Sequence, residues 1–257
     1  MSARYYKRRT PELRNKFNDI AEDYDACRFS YPAELYSSIW EYAGDFSRAL
    51  EIGAGTGKAT GAFLARGCEI VAIEPCIRML ECGRRKFSTE RLTWCNVTFE
   101  DYVCTLPFDM VYAASSFQWL SGDDRVRRVF ALLRPGGVFA RFKTRNVVAP
   151  ERSMANGRLM ELYARYFPEL APRSGEGRHM GASEYASAGF VDPLEKEFHV
   201  PHVISAADYV RLIRTYTEYL MFPASKRALF EDAILSELTS GRIELDQKCS
   251  LSLWRRP

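Results

Sequence analysis

Glu51-Ile52-Gly53-Ala54-Gly55-Thr56-Gly57 places an acid and three alternating glycines within one short run. Glycines so spaced let the backbone turn tightly and let a ligand lie against main-chain N–H groups. A P-loop would need glycine at position 52 and serine or threonine at position 59, where Ile52 and Ala59 stand, so that reading is excluded. The dinucleotide fingerprint would need glycine at position 58, where Lys58 stands, which leaves an NAD(P) site only as an alternative. Glu74, followed by Pro75, lies 21 positions after Gly53. A carboxylate there can accept two hydrogen bonds from vicinal ribose hydroxyls, which points to an adenosine-bearing ligand.

These residues must be held by a sheet. Short apolar runs at Ala49–Ile52, Glu69–Ile73, Leu92–Val97, Met110–Ala114 and Val138–Phe142 alternate with helical segments. That alternation predicts right-handed βαβ units and a parallel, doubly wound α/β sheet. Ahead of it, residues 11–43 read as helix with a break at Tyr31-Pro32. Beyond Lys143 the spacing predicts a helix over Met154–Phe167, a loose stretch from Pro168 to Gly181 that reads as a lid or mobile loop, and a strand over 194–200. Helical runs over 205–220 and 224–239 and a last strand over Ile243–Trp254 follow.

The run Glu-x-Gly-x-Gly-x-Gly resembles motif I of the class I S-adenosylmethionine-dependent methyltransferases. Phe17-Asn18-Asp19-Ile20-Ala21 with Tyr24-Asp25, Arg28 and Tyr31-Pro32 is similar to the N-terminal segment of their small-molecule branch, the trans-aconitate methyltransferase-like enzymes. Thr98-Phe99-Glu100-Asp101, Phe108–Val111, Ala114–Leu120 and Leu132–Gly137 resemble, in order, that branch's adenine-contacting loop, its fourth-strand motif and the turn before strand five. The likeness covers about residues 15–143 and implies a mostly parallel seven-stranded sheet with a helical cap. It divides the chain into an N-terminal helical segment (1–47), a cofactor-binding core (48–145) and cap insertions with the last two strands (146–257).

The same resemblance implies the cofactor S-adenosyl-L-methionine, with S-adenosyl-L-homocysteine as product. Gly53, Ala54, Gly55, Gly57, Glu74, Pro75, Thr98, Phe99 and Ser115 would line it. Glu51 would either order the glycine turn or approach the methionine ammonium. Arg28 would pair with the methionine carboxylate, and Tyr24 and Tyr31 would cover the methyl donor. Tyr31, Gln118, Trp119 and Arg178 are the candidates on the acceptor side. Gln118 stands where the branch often carries histidine, and a neutral amide takes no proton at pH 7, so no catalytic base is assigned. Thr98 stands where the adenine loop usually offers an acid; Thr98 or Glu100 could fill that part.

Composition narrows the classes further. With 36 Lys and Arg against 33 Asp and Glu, the net charge of +3 is far from the basic excess of a nucleic-acid binder. The fourth-strand motif also lacks the Pro-Pro-aromatic signature of base-methylating enzymes. Seven cysteines without a C-x-x-C pair, no secretory leader and no membrane-length apolar run predict a cytoplasmic protein, monomeric or homodimeric, with no membrane partner. Two histidines, His199 and His202, without a third ligand predict no metal site. Arg141, Lys143 and Arg145, with Arg173, Arg178 and His179, would ring the pocket mouth and suit a carboxylate- or phosphate-bearing acceptor. The function expected is methyl transfer to a small molecule, through a carboxylate or hydroxyl. The alternatives are an NAD(P)-dependent oxidoreductase and a non-catalytic S-adenosylmethionine-binding protein.

Overall fold

The computed structural model describes residues 16–120, 122, 124–168, 182–239 and 241–257. Strands β1 (Arg48–Ile52), β2 (Glu69–Ile73), β3 (Leu92–Cys95), β4 (Phe108–Ala114) and β5 (Leu133–Val147) run parallel. β7 (Arg242–Arg255) is reversed and sits between β5 and the edge strand β6 (Val191–Ser205). The order is β3-β2-β1-β4-β5-β7-β6, the mostly parallel seven-stranded sheet expected from the sequence. Its connections reverse direction between β1 and β4, which opens a crevice at the carboxyl ends of those strands, the place where such sheets bind ligands.

Helices cover both faces because the central strands are apolar on both sides; β4 is buried almost throughout. Before the sheet lie α1 (Ala21–Cys27) and α2 (Ala33–Ala43), and after β1 and β2 come α3 (Thr60–Ala65) and α4 (Ile77–Lys86). Leu35 and Ile39 of α2, Phe63 of α3 and Leu80 of α4 pack with Ile70, Met110, Tyr112, Phe142 and Leu251 on one face. On the other face, Val126 and Val129 of α5 (Arg125–Leu132) and Tyr185 of α7 (Ala182–Ser187) pack with Leu50, Val111, Phe139 and Trp254. A third core joins α6 (Met154–Tyr166), α8 (Ala206–Ile213) and α10 (Ala224–Glu237) with the short α9 (Thr217–Leu220) around Phe167 and Phe230. Ile243 and Leu245 of β7 floor that cluster, so the cap grows directly from the extended ends of the outer strands.

Several boundaries differ from the sequence reading. The expected break at Tyr31-Pro32 is present, with Pro32 in extended dihedrals capping α2, but the helix before it stops at Cys27 and is itself interrupted by a turn at Ile20 after helical residues 16–19. The segment 133–137 lies within β5 rather than before it: Phe108 pairs with Leu133 and Met110 with Val138, so the extra residues bulge, with Gly136 at φ +76°. β5 also continues past Phe142 to Val147, which places Arg141, Lys143 and Arg145 inside the strand instead of beyond it. The strand expected over 194–200 spans Val191–Ser205, and the helix expected over 205–220 breaks after Ile213. The loose stretch expected from Pro168 to Gly181 lies, apart from Pro168, outside the described residues, as do Arg173, Arg178 and His179.

Candidate active site

β1 carries Glu51 and Ile52 into the crevice, and the turn after it adopts positive φ at Gly53 (+65°), Gly55 (+58°) and Gly57 (+80°). Side-chain-bearing residues rarely take that region. A Cβ on Gly53 would stand 2.6 Å from that of Ser116, so the turn after β1 and the loop after β4 touch. Ser116 Oγ donates to the Ile52 carbonyl across this contact. The N–H groups of Gly53 and Ala54 both donate to the Ile73 carbonyl, at 2.9 and 3.0 Å, which ties the turn to the end of β2.

Glu74 stands where β2 ends. It is 7% exposed, and its two oxygens accept the N–H groups of Gly55 and Cys76, each at 2.8 Å. The carboxylate therefore joins the glycine turn to the start of α4. Asn96 fixes this corner by donating to the carbonyls of Glu74 and Pro75 at 2.8 and 3.0 Å. Sequence reasoning missed Asn96; its signal was a lone polar amide where the third strand ends.

Glu51 lies beneath the turn, 1% exposed. Its Oε2 accepts hydroxyl protons from Thr60 at 2.6 Å and Tyr112 at 2.9 Å, which fastens α3 to the sheet. Its Oε1 is buried with no hydrogen-bond partner. Burial pushes the carboxyl up to about 7, against the pull of those two hydrogen bonds. An acid so placed is half neutral near pH 7, and a cation brought to Oε1 would restore its charge.

The N-terminal segment is strapped over this turn. Lys58 Nζ donates to the Asp25 carbonyl at 2.7 Å, and Lys86 Nζ pairs with the Asp25 carboxylate at 2.5 Å. The residue that spoils a dinucleotide fingerprint thus holds α1 in place. Phe17 meets Tyr24 edge-on at 5.9 Å and Trp119 edge-on at 5.4 Å, so Tyr24 and Trp119 share one aromatic cluster. Arg28 points toward the cap, with Nε on Thr215 Oγ1 and Nη2 on the Thr215 carbonyl, both at 2.8 Å, and its guanidinium lies over Tyr216.

At the end of β4, Ser115 takes φ +56°, a conformation uncommon outside glycine. Its hydroxyl meets Tyr31 Oη at 2.9 Å, and its carbonyl accepts from Gln118 Nε2 at 2.6 Å. Burial holds the Tyr31 phenol well above the ordinary tyrosine value. Tyr31, Ser115, Gln118 and Trp119 are therefore brought together at one end of the sheet. The adenine-loop candidates behave differently: Thr98 Oγ1 donates to Asp101 at 2.6 Å and caps its own turn, while Phe99 is 3% exposed in the core with Ile73, Phe108 and Phe117. Glu100 is exposed.

His199 lies between Glu197 and Asp246 at 2.9 and 2.8 Å, and His202 stacks on Phe29 while bonded to Gln247. Among the described residues no group of three or more His, Cys, Asp or Glu could hold a metal, and no helix is long and apolar enough to cross a membrane.

Comparison with known proteins agrees with this geometry. Residues 49–137 match the family described as Methyltransferase domain. The chain is 30% identical over 121 residues to an uncharacterized methyltransferase of Mycobacterium tuberculosis, covering 47% of this chain and 49% of that protein. It is 31% identical over 124 residues to a Saccharomyces cerevisiae protein named as a probable S-adenosylmethionine-dependent methyltransferase, covering 46% of this chain and 43% of the other. Each alignment thus spans about half the length of the curated relative or less. Among solved structures, the phosphoethanolamine N-methyltransferase 2 of Haemonchus contortus, in complex with phosphomonomethylethanolamine and S-adenosylhomocysteine, superposes with TM-score 0.55 at 13% identity, covering 93% of this chain and 57% of that one. Residues 49–137, the part matched to a methyltransferase domain, carry the glycine turn, Glu51 and Glu74.

Proposed function

We propose that the protein is an S-adenosylmethionine-dependent methyltransferase acting on a small molecule through a carboxylate or hydroxyl oxygen. The observation that carries this reading is Glu74: a buried carboxylate at the end of β2, gripping the glycine turn through Gly55, in a segment matched to a methyltransferase domain. The nicotinamide alternative is disfavoured by the family match and by β7, a reversed strand inserted between β5 and β6 where a dinucleotide fold continues in parallel.

The residues present fit the cofactor. Glu74 would take the ribose hydroxyls, the N–H groups of the turn would face the methionine moiety, and the orphaned Glu51 Oε1 matches a cationic ammonium. When bound, the cofactor supplies a methyl group already made electrophilic by its sulfonium. The chain's own task is then to hold the acceptor oxygen in line and to keep water out. Tyr31 and Ser115 present hydroxyls at the end of β4, and the buried phenol keeps its proton, so it orients by hydrogen bonding rather than by abstracting a proton. Gln118 orders the Ser115 carbonyl and supplies no base. Tyr24, Phe17 and Trp119 close the aromatic side of the crevice. A carboxylate acceptor is already deprotonated at pH 7, which suits a site without a base.

The test is incubation with methyl-labelled S-adenosylmethionine and a panel of small carboxylic acids, alcohols and amines, with S-adenosylhomocysteine as the readout. Acceptor-dependent product from the oxygen series supports the reading. Cofactor binding with no turnover on any class would instead support the non-catalytic alternative.

A further inference from the structure

On the β5-β7-β6 side of the sheet, side chains alternate between two faces. Phe142, Leu251 and Phe198 point toward α2, which leaves Arg141, Lys143, Ser250, Ser252, Glu195 and Glu197 on the opposite face. There they line a cavity of about 230 Å³ with Tyr185 of α7 at its side. Register aligns Arg141, Ser252 and Glu195 across the three strands in one row, and Lys143, Ser250 and Glu197 in the next. The result is a cationic wall, a hydroxyl floor and an acidic wall.

The polar groups of this cavity are placed but only partly used. Arg141 is half-buried, donates through Nη1 to the hydroxyl of the buried Tyr185 at 3.2 Å, and lies over the Phe117 ring. Among the described residues its guanidinium meets no carboxylate, and Glu195, Ser250 and Ser252 make no side-chain hydrogen bond or ion pair. Glu197 is shared with His199 and Lys248. Across two strand spacings, about 9.6 Å, the walls stand too far apart for backbone-level pairing. Allowing a charged hydrogen bond of about 2.8 Å at each wall leaves about 4 Å between the charges of a bridging ligand.

We propose that this cavity binds a small zwitterion, its carboxylate or other anionic group on Arg141, its ammonium on Glu195 and Glu197, and its body over Ser250 and Ser252. The site is separate from the cofactor turn: β7 stands three strands from β1, about 14 Å away, and the cavity opens on the face away from α2 and Tyr31. Its Arg141 lies over Phe117, the first residue of the short helix that carries Gln118 and Trp119, so one side chain links the cavity to the support of the acceptor side. The assignment does not depend on the methyltransferase reading.

The experiment is a calorimetric titration of the full chain with glycine, β-alanine, γ-aminobutyrate and δ-aminovalerate, beside butyrate and butylamine at equal ionic strength. The expected result is saturable binding that peaks at one chain length, about tenfold or more tighter than either singly charged half. Arg141→Gln and Glu195→Gln should each weaken that binding about tenfold or more, while both variants keep the parent's S-adenosylhomocysteine affinity. No saturable binding across the series, butyrate binding as tightly as the best zwitterion, or binding that survives both substitutions would each overturn the proposal. Because S-adenosylhomocysteine is titrated separately, failure of the cavity and failure of the cofactor site give different results.

Discussion

Glu74 shows how one side chain can serve the fold and the chemistry together. Because charged hydrogen bonds contribute about 1.5–3 kcal/mol each, Glu74→Ala should weaken S-adenosylmethionine binding roughly ten- to a hundredfold. Unchanged affinity by calorimetry would remove it from the ribose role. Glu51 makes the opposite kind of prediction, through protons. Its carboxyl is raised to about 7 by burial, so between its ordinary value of 4.5 and 7 the folded chain binds more protons than the unfolded one. The stability it contributes is therefore greatest at low pH and falls as pH rises through that window, by on the order of 3 kcal/mol in all. Melting curves of the parent and Glu51→Gln across pH 5 to 8 should show the parent losing stability relative to the variant as pH rises; a difference independent of pH would contradict the buried acid. Both acids were legible in the sequence because strand ends and glycine spacing fix them. The partners of Glu51, Thr60 and Tyr112, were not, since they meet it only once α3 and β4 pack against β1.

Strands β1 to β4 and the glycine turn follow from apolar runs punctuated by turn residues, and there the boundaries read from the sequence hold to within about two residues. β6 was read too short because it is mostly exposed and its apolar positions, Leu194, Phe198 and Ile204, are diluted by charges and two prolines. The polar tie between α6 and β7 was likewise invisible, since it rests on one amide. Asn156 of α6 is fully buried; its side chain donates to the carbonyls of Ala149 and Glu244 and accepts the Glu244 N–H, at 2.9 to 3.0 Å. Asn156→Ala should cost about 2–4 kcal/mol, or roughly 4–16 °C in melting temperature, with cofactor affinity unchanged. A loss confined to 1 °C would mean that α6 is held by its apolar face alone. On the other side of the fold, Gly83 lets α4 lie on β3, where an added Cβ would stand 2.3 Å from Trp94. Gly83→Ala should therefore destabilise by about 1–3 kcal/mol in urea unfolding despite alanine's better helix propensity; a gain in stability would show that Trp94 moves aside freely.

At the scale of the whole molecule, the crevice is bounded by three bodies: the sheet ends, the N-terminal segment and the cap. Arg28 joins the last two, bonded to Thr215 and sandwiched by Tyr24 and Tyr216. The sequence suggested a carboxylate partner for it; the structure commits two of its nitrogens to Thr215, a contact across 187 positions that no local pattern reveals. Arg28→Ala should raise amide hydrogen exchange in residues 21–31 and 206–216 together and speed cofactor release, whereas a change in only one segment would deny the coupling. The central claim is the identity of the ligand held between β1 and β4. Calorimetric titration of the purified protein with S-adenosylmethionine, S-adenosylhomocysteine and NAD in parallel tests it without needing the acceptor. Saturable binding of the first two, weakened in Glu74→Ala, with none of NAD, is the predicted result; binding of NAD in their place would contradict the account.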